Sequence, residues 1–430
     1  MDKNISVLVF PCGSENALEI HQALKDVINI TLIGASSIDN HGSYVFKNYI
    51  PNMPHITSTN FINKLNEIIV EFNIDIIIPT HDDVVLKLAQ EANQIKTKIA
   101  IPGLEQAIIT RSKKKTYELF NEYSFCPKTF NNLEKIEQYP VFAKPDDGQG
   151  GKDTILIDEK NIKHLNKEHF KNHVLCEYLP GEEITIDCFT DKKGILRFVG
   201  PRKRERVFCG ISVRSFTINL SAEIEYAAQT ISNRMKMNGL WYFQLKKDVN
   251  GIYKLLEVSV RTAGTMNLYR GLGVNFPLLT IYNLLDYDIN ILCNDYHLEV
   301  DRAFINRYKN DLVYDTIYID FDDTITKNGK ANPEVMMFLY NAKLFEKKII
   351  LITKHEYDLN LTLNNLSIHL GLFDKIIHLN KSDTKYQHIL HTNNAIFIDN
   401  SFHERAEVKK YVNIPIFDVD AIQTLINWKN

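Results

Sequence analysis

Val141-Phe142-Ala143-Lys144-Pro145 runs directly into Asp146-Asp147-Gly148-Gln149-Gly150-Gly151-Lys152-Asp153, a short apolar strand ending in a lysine and then a loop with three glycines. Glycines let successive backbone N–H groups turn toward one point, where they can cradle phosphate oxygens, and a lysine at the strand end adds a localised positive charge. Taken alone, the pattern is equally that of a glycine-rich hairpin turn beside an exposed lysine. The segments that follow decide between the two.

Val174 to Asp187 contains Glu177-Tyr178-Leu179-Pro180-Gly181-Glu182-Glu183 and predicts a strand, a tight turn and a second strand, with Glu177 and Glu183 flanking the turn. Further on, Tyr242 to Lys246 and Lys254 to Val260 predict a hairpin around Asn250-Gly251 that carries Gln244, Glu257, Ser259 and Arg261. Residues two apart on a strand share a face, so Glu257, Ser259 and Arg261 point the same way. Oxygen donors grouped beside an arginine are what magnesium and a triphosphate require.

In this order, from about Thr110 to Tyr308, the segments resemble the ATP-grasp superfamily, especially its carbamoyl-phosphate-synthetase-like and carboxylate–amine ligase members; residues 1–103 resemble the α/β domain that precedes it. The resemblance implies ATP and magnesium as cofactors, with manganese able to substitute, and amide formation through an acyl phosphate. It implies Lys113, at the start of a helix, and Lys144 as ATP lysines, with Gly148, Gly150 and Gly151 in the loop over the phosphates. Glu177 and the backbone near Leu179 would form the adenine hinge and Glu183 the ribose contact. Gln244, Glu257 and Ser259 would ligate magnesium, and Arg261 would neutralise the transferring phosphoryl group. Where many relatives carry Asn in a Glu-x-Asn-x-Arg pattern, this chain has Ser259, whose reach is shorter. Arg202, Arg204, Arg206 and Arg214 are candidates for gripping a carboxylate or acyl phosphate; a solvated basic strand is the alternative.

A second centre lies near the C-terminus. Thr316-Ile317-Tyr318-Ile319-Asp320-Phe321-Asp322-Asp323-Thr324 is a buried-type strand ending in carboxylates at i and i+2. One carboxylate can attack phosphorus if a cation screens it, and the other can protonate the leaving oxygen and then activate water. Ile349 to Thr353 is a second apolar strand ending in a hydroxyl, Lys385 opens a helical stretch, and Ala395 to Asp399 is a third apolar strand ending in an acid, followed by Asn400. Together they resemble the haloacid-dehalogenase superfamily. That implies Asp320 as nucleophile, Asp322 as general acid/base, Thr353 and Lys385 as phosphate stabilisers with Lys381 a rival, and magnesium held by Asp320, Asp399 and the Asp322 carbonyl. The gaps of 29 residues from Thr324 to Thr353 and 32 from Thr353 to Lys385 leave no room for a cap domain.

Around these centres, strand-like runs at Ser6–Phe10, Ile30–Ile33, Ile74–Pro79 and Lys98–Ile101 alternate with helical patterns at Ala17–Val27 and Phe61–Phe72, which predicts a parallel sheet covered by helices. The loop Pro11 to Asn16 lacks the dinucleotide glycine pattern and reads as a substrate-side loop or plain structure. The expected fold class is therefore α/β and α+β multidomain: a Rossmann-like pre-ATP-grasp domain (1–104), an ATP-grasp domain (105–310) and a capless haloacid-dehalogenase-like Rossmannoid domain (311–430), with Phe304–Tyr308 read as a strand.

The 430 residues exceed one ordinary core. Their 44% hydrophobic and 24% charged content excludes a disordered or fibrous chain, and a net charge of −3 excludes a global field for nucleic acid or an anionic membrane. No run reaches the roughly 18 apolar residues of a membrane helix, and no secretory signal opens the chain. Six scattered cysteines without a Cys-x-x-Cys pair read as buried free thiols of a cytoplasmic protein. The expected partners are small-molecule carboxylate and amine substrates and a phosphorylated small molecule, with neither nucleic acid nor membrane. The expected activity is a bifunctional ligase and phosphatase. The alternatives are an ATP-grasp kinase without ligation, or an inactive nucleotide-binding module attached to a working phosphatase.

Overall fold

The computed structural model describes residues 4–136, 138–148, 151–165 and 170–429. The chain divides into two compact units, Met1–Phe304 and Ile305–Asn430. Phe304–Tyr308, expected as a strand, is irregular and joins no ladder. Among the described residues, no helix is long and apolar enough to cross a membrane.

The first unit opens with a parallel sheet of β1 (Ile5–Phe10), β2 (Ile30–Ala35), β3 (Asn48–Ile50), β4 (Ile76–Pro79) and β5 (Lys98–Ile99), in the order β3-β2-β1-β4-β5. Its central strands are apolar on both faces because helices cover both. Leu8, Phe10 and Ile77 pack on one side with the helix Phe61–Glu71, and Val7, Val9 and Ile76 on the other with the helix Glu15–Leu24. Ser14 caps the latter helix, its Oγ accepting from the Ala17 N–H, so the loop Pro11–Ser14 leads straight into a helix N-terminus. The strand order reverses between β1 and β4, and the crevice beyond the carboxyl ends of such strands is where open α/β sheets present ligand-facing loops. Asn16 and Asp82 sit just past those two ends.

Two antiparallel sheets follow. The smaller has the order β6-β9-β7-β8, from β6 (Thr129–Phe130), β7 (Val141–Pro145), β8 (Ile155–Ile157) and β9 (His173–Glu177). The larger contains β10 (Glu183–Thr190), β11 (Leu196–Phe208), β12 (Ile211–Thr217), β13 (Gly239–Lys247), β14 (Tyr253–Ser259) and β15 (Glu299–Asp301), ordered β14-β13-β10-β11-β12-β15. The strand–turn–strand read at Val174–Asp187 is therefore not a hairpin. Each of its strands belongs to a different sheet, and residues 178–182 cross between them. The expected hairpin around Asn250-Gly251 does form, pairing Gln244 with Glu257, and Gly251 takes φ +80 at its turn. Trp241, Tyr242 and Phe243 are core residues.

The second unit carries β16 (Thr316–Ile319), a small hairpin of β17 (Thr326–Lys327) and β18 (Lys330–Ala331), β19 (Lys348–Thr353), β20 (Lys375–His378), β21 (Ala395–Ile398) and β22 (Ile416–Phe417). Its main sheet is parallel in the order β20-β19-β16-β21-β22, again with a reversal beside the first strand. Between β16 and β19 lie a short helical turn at Phe321–Ile325, the small hairpin and the helix Pro333–Leu344, and between β19 and Lys385 the helix Leu359–Asn365, a short turn and β20. No cap interrupts the unit.

Candidate active sites

In the first unit, the gap between the two antiparallel sheets is a cavity of about 380 Å³. Lys113, Lys144, Gly148, Gly151, Glu177, Leu179, Glu183, Gln244 and Glu257 all line it, although they come from six segments of the chain. Gly150 lies outside the described residues. Lys144 closes β7, is only 7% exposed, and donates to Tyr117 Oη at 2.7 Å. Tyr117 itself donates to the Leu256 carbonyl at 2.8 Å, so its oxygen can only accept from Lys144. A buried ammonium whose hydrogen-bond partner is a neutral phenol is poised for an anion. Lys113 begins the helix Lys113–Phe120 and donates to the carbonyls of Gly148 (2.8 Å) and Asp146 (3.4 Å), which ties the glycine loop to the helix start. Burial pulls the Lys113 pKa below its ordinary value; Glu257 opposes this and Lys144 adds to it. A phosphate chain entering the cavity would relieve the repulsion between the two lysines.

The remaining assignments divide. Glu177 lines the cavity, while its carboxylate accepts from the Lys128 N–H at 2.8 Å, a structural contact. Glu183 is paired with Arg204 and lies 3.7 Å from Lys246, so a ribose hydroxyl would have to share it. Gln244 and Glu257 face one another across β13 and β14, and both line the cavity. Ser259 lines the adjoining cavity together with Gln244 and Glu257, and its hydroxyl donates to Asp82 Oδ1 at 2.9 Å. Arg261 Nε donates to Asp82 Oδ2 at 3.0 Å, and its guanidinium lies over the Tyr242 ring. Burial alone would push the Asp82 carboxyl up, but Arg261 and Ser259 outweigh it and hold the carboxyl below its ordinary value. Sequence reasoning missed Asp82. The available signal was an Asp-Asp pair opening a helix straight after the apolar strand β4.

The four arginines proposed as an anion grip are taken by the chain's own carboxylates, a correction. Arg202 is buried against Asp187 (2.7 and 3.1 Å), Arg204 against Glu183, Arg206 meets Asp301 at 2.8 Å and Arg214 meets Glu299. A basic strand is costly unless neutralised, and antiparallel neighbours supply acids at the right register. No disulfide joins the cysteines; Cys209 and Cys293 are exposed, contrary to the expectation that all six are buried.

In the second unit, Asp320, Thr353 and Asp399 stand at the carboxyl ends of three adjacent parallel strands, β16, β19 and β21. Lys385 Nζ lies between the two acids, 2.6 Å from Asp320 Oδ1 and 2.7 Å from Asp399 Oδ2. Lys381, the rival, is exposed and paired with Glu356. The chain turns sharply after Asp322, with Asp323 at φ +54. Asp322 meets His355 Nδ1 at 2.9 and 3.0 Å, a partner not singled out from sequence, although it follows Thr353 by two residues. Asn400 receives its contact from Thr324 Oγ1 at 3.2 Å. Burial pushes the Asp320 carboxyl up; Lys385 opposes this, Asp399 adds to it, and the net value is about 7.

Among the described residues, no three His, Cys, Asp or Glu side chains form a ready-made metal cluster. The donor sets are nonetheless of the right chemistry for a hard cation that takes ligands from a bound phosphate. In the first unit these are the Gln244 and Glu257 oxygens. In the second they are the Asp320 and Asp399 carboxylates, two buried acids sharing one ammonium, with the Asp322 carbonyl on the adjacent turn.

Residues 169–302 match the family model described as "ATP-grasp in the biosynthetic pathway with Ter operon". A carbamoyl-phosphate synthase of Methanobrevibacter smithii is 23% identical over 285 residues, 56% of this chain and 76% of that one. A phosphoribosylamine–glycine ligase of Clostridium acetobutylicum is 25% identical over 237 residues, 45% of this chain and 57% of that one. Among solved structures, biotin carboxylase from Campylobacter jejuni superposes with a TM-score of 0.58 at 15% identity, covering 68% of this chain and 74% of that one. The structural likeness shows a shared fold. With the sequence matches, it supports the ATP-grasp superfamily and, at that level, ligase chemistry. The relatives named are ligases and carboxylases, so a phosphatase reading of the second unit rests on that unit's own geometry.

Proposed function

We propose that the first unit is an ATP-dependent, ADP-forming carboxylate–amine ligase and the second a phosphomonoesterase working through an aspartyl phosphate, in a cytoplasmic protein. The observation that carries the ligase reading is the convergence of Lys113, Lys144, Gln244 and Glu257 on one cavity. Lys144 and Lys113 hold the phosphates of ATP, residues 177–179 receive the base, and Gln244 and Glu257 would hold magnesium, which spreads charge on the triphosphate when bound. A substrate carboxylate oxygen attacks the terminal phosphorus as the bond to ADP breaks. The amine nitrogen then attacks the acyl carbon and loses a proton as phosphate departs with the C–O bond's electrons. Arg261, fixed by Asp82, stands beside Glu257 to meet the charge on the transferring group.

In the second unit, Asp320 attacks phosphorus while Lys385 screens it, and Asp322 gives its proton to the leaving oxygen. Asp322 then takes a proton from the water that cleaves the aspartyl ester. Asp320, Asp399 and the Asp322 carbonyl would hold the magnesium that neutralises the phosphoryl oxygens.

Purified protein with MgATP and pooled carboxylates and amines, read by mass spectrometry, tests the first reading. The expected result is ADP formation that needs both substrates, with an amide adduct. ADP formation with a phosphorylated product and no adduct would make the first unit a kinase. Phosphate release from a phosphomonoester should vanish in Asp320→Asn; release unchanged in that variant rules out the aspartyl ester.

A further inference from the structure

Next to the nucleotide cavity lies a second one of about 650 Å³, which shares Lys113, Gln244 and Glu257 with the first and reaches the loops at the carboxyl ends of β1 and β4. Among its arginines, Arg111, Arg202, Arg204 and Arg261 are each paired with an acid of the chain: Asp83, Asp187, Glu183 and Asp82. Arg302 is different. It follows β15, and its guanidinium makes one weak contact, to the Ser212 carbonyl at 3.4 Å, with no ion pair among the described residues. Burial pulls its pKa down, while Glu15 and Glu19 pull the other way. Glu19 is already held by Arg270 at 2.8 and 3.2 Å, whereas Glu15 has no ion pair among the described residues.

Asn16 supplies the second, independent observation. It is 6% exposed and lines the same cavity. Its Nδ2 donates to the Thr80 carbonyl at 3.3 Å, which fixes the amide's orientation, because an oxygen turned toward that carbonyl would be repelled. Its Oδ1 is buried and accepts no hydrogen bond among the described residues. A buried acceptor left unmet is costly, and such groups are expected to meet a ligand or water.

Gly264 is where these groups meet. Its φ is not in the left-handed region, so the backbone there does not demand glycine; the space does. A β-carbon at this position would stand 2.7 Å from Arg302 Nη1, 3.1 Å from Glu15 Cγ and 3.4 Å from Asn16 Oδ1. A cation, an acid and an unmet amide oxygen thus close on Gly264, so near to its backbone that a side chain there would have to displace them.

We propose that this pocket binds one of the two joined substrates and that this substrate is an α-amino-acid zwitterion, its carboxylate on Arg302 and its ammonium on Asn16 Oδ1 and Glu15. Opposite charges two bonds apart in the ligand match opposite charges a few ångströms apart in the wall, and each offsets the other's desolvation. The assignment deepens the ligase reading and rests on it.

The test is calorimetric titration of the full-length protein with each standard proteinogenic amino acid, with MgATP affinity measured on the same samples. At least one amino acid should bind. The acid lacking its amine and the amine lacking its carboxylate should each bind at least roughly tenfold more weakly, the loss of one charge-assisted contact. Arg302→Gln and Gly264→Val should weaken the amino acid by the same factor, whereas Asn16→Ala should weaken the amino acid but leave its deaminated acid unchanged. MgATP affinity should stay constant throughout. The inference is overturned if no amino acid binds, if the deaminated acid binds equally well, or if Arg302→Gln has no effect, which would indicate an internal Arg302–Glu15 pair. Amino-acid binding with this pattern but without MgATP binding would sustain the pocket and remove the ligase reading instead.

Discussion

Asp82 shows how one side chain can set the state of a site. Its two oxygens bind Ser259 and Arg261, so it fixes the guanidinium beside Glu257 through a contact spanning 179 positions of sequence. Asp82→Asn keeps the size and removes the charge. A catalytic group loosened by about an ångström loses roughly tenfold to a hundredfold in rate, so kcat for ADP formation should fall by that factor while the dissociation constant for MgATP, set around Lys144, changes little. Asp320 gives a second prediction with a definite sign. An acid whose pKa rises from 3.8 to about 7 on folding binds more protons folded than unfolded in that window. Its stabilising effect is fully present below 3.8 and lost as pH rises through about 7. In chelator, the wild-type Tm should therefore decline across this range more steeply than that of Asp320→Asn; parallel profiles would assign the slope elsewhere. At this scale the sequence was informative about chemistry. Lys144, Asp320 and Asp399 stand at or next to strand ends, and strand ends can be read from apolar runs. It was silent about Asp82, His355 and Arg302, whose roles come from partners far along the chain.

Among elements, β10 and β11 carry a buried pair that the sequence presented as a possible substrate grip. Arg202 and Asp187 are diagonal neighbours, Arg202 standing opposite Thr185 and Asp187 opposite Gly200, and both are almost wholly enclosed, with Arg202 Nη1 also donating to Thr265 Oγ1. Removing one partner of such a pair leaves a bare buried charge, a loss of roughly 3–5 kcal/mol. Arg202→Met should lower the urea midpoint accordingly. A neutral result would mean that the pair is solvated and that Arg202 is available to a ligand. The same scale shows what the reading of Val174–Asp187 left open: both strands form, and the pattern strand–turn–strand is identical whether the second strand folds back on the first or crosses into another sheet. Backbone partners chosen by β7 and β13 decide the matter. That crossing brings Tyr178 and Leu179 to the wall of the cavity between the sheets.

At the scale of the whole molecule, Met1–Phe304 and Ile305–Asn430 each enclose their own core. The second unit buries Ile317, Ile319, Phe338, Leu351 and Ile398 within itself and has the size of an independent domain. Residues 305–430 expressed alone should fold cooperatively and release phosphate from an aryl phosphate, with activity abolished by Asp320→Asn; an unfolded fragment would show that the unit depends on the rest of the chain. The amino-acid sequence by itself determined most of the central strands of both parallel sheets, though not the irregular course of Phe304–Tyr308, because period and apolar runs are local properties. Only the tertiary structure decided which charges neutralise one another. It consumed Arg202, Arg204, Arg206 and Arg214 internally, joined Ser259 to Asp82, and left Arg302 facing an open pocket. Ion pairing depends on distances of a few ångströms between residues separated by tens to hundreds of positions, and those distances are fixed only when the sheets and helices pack.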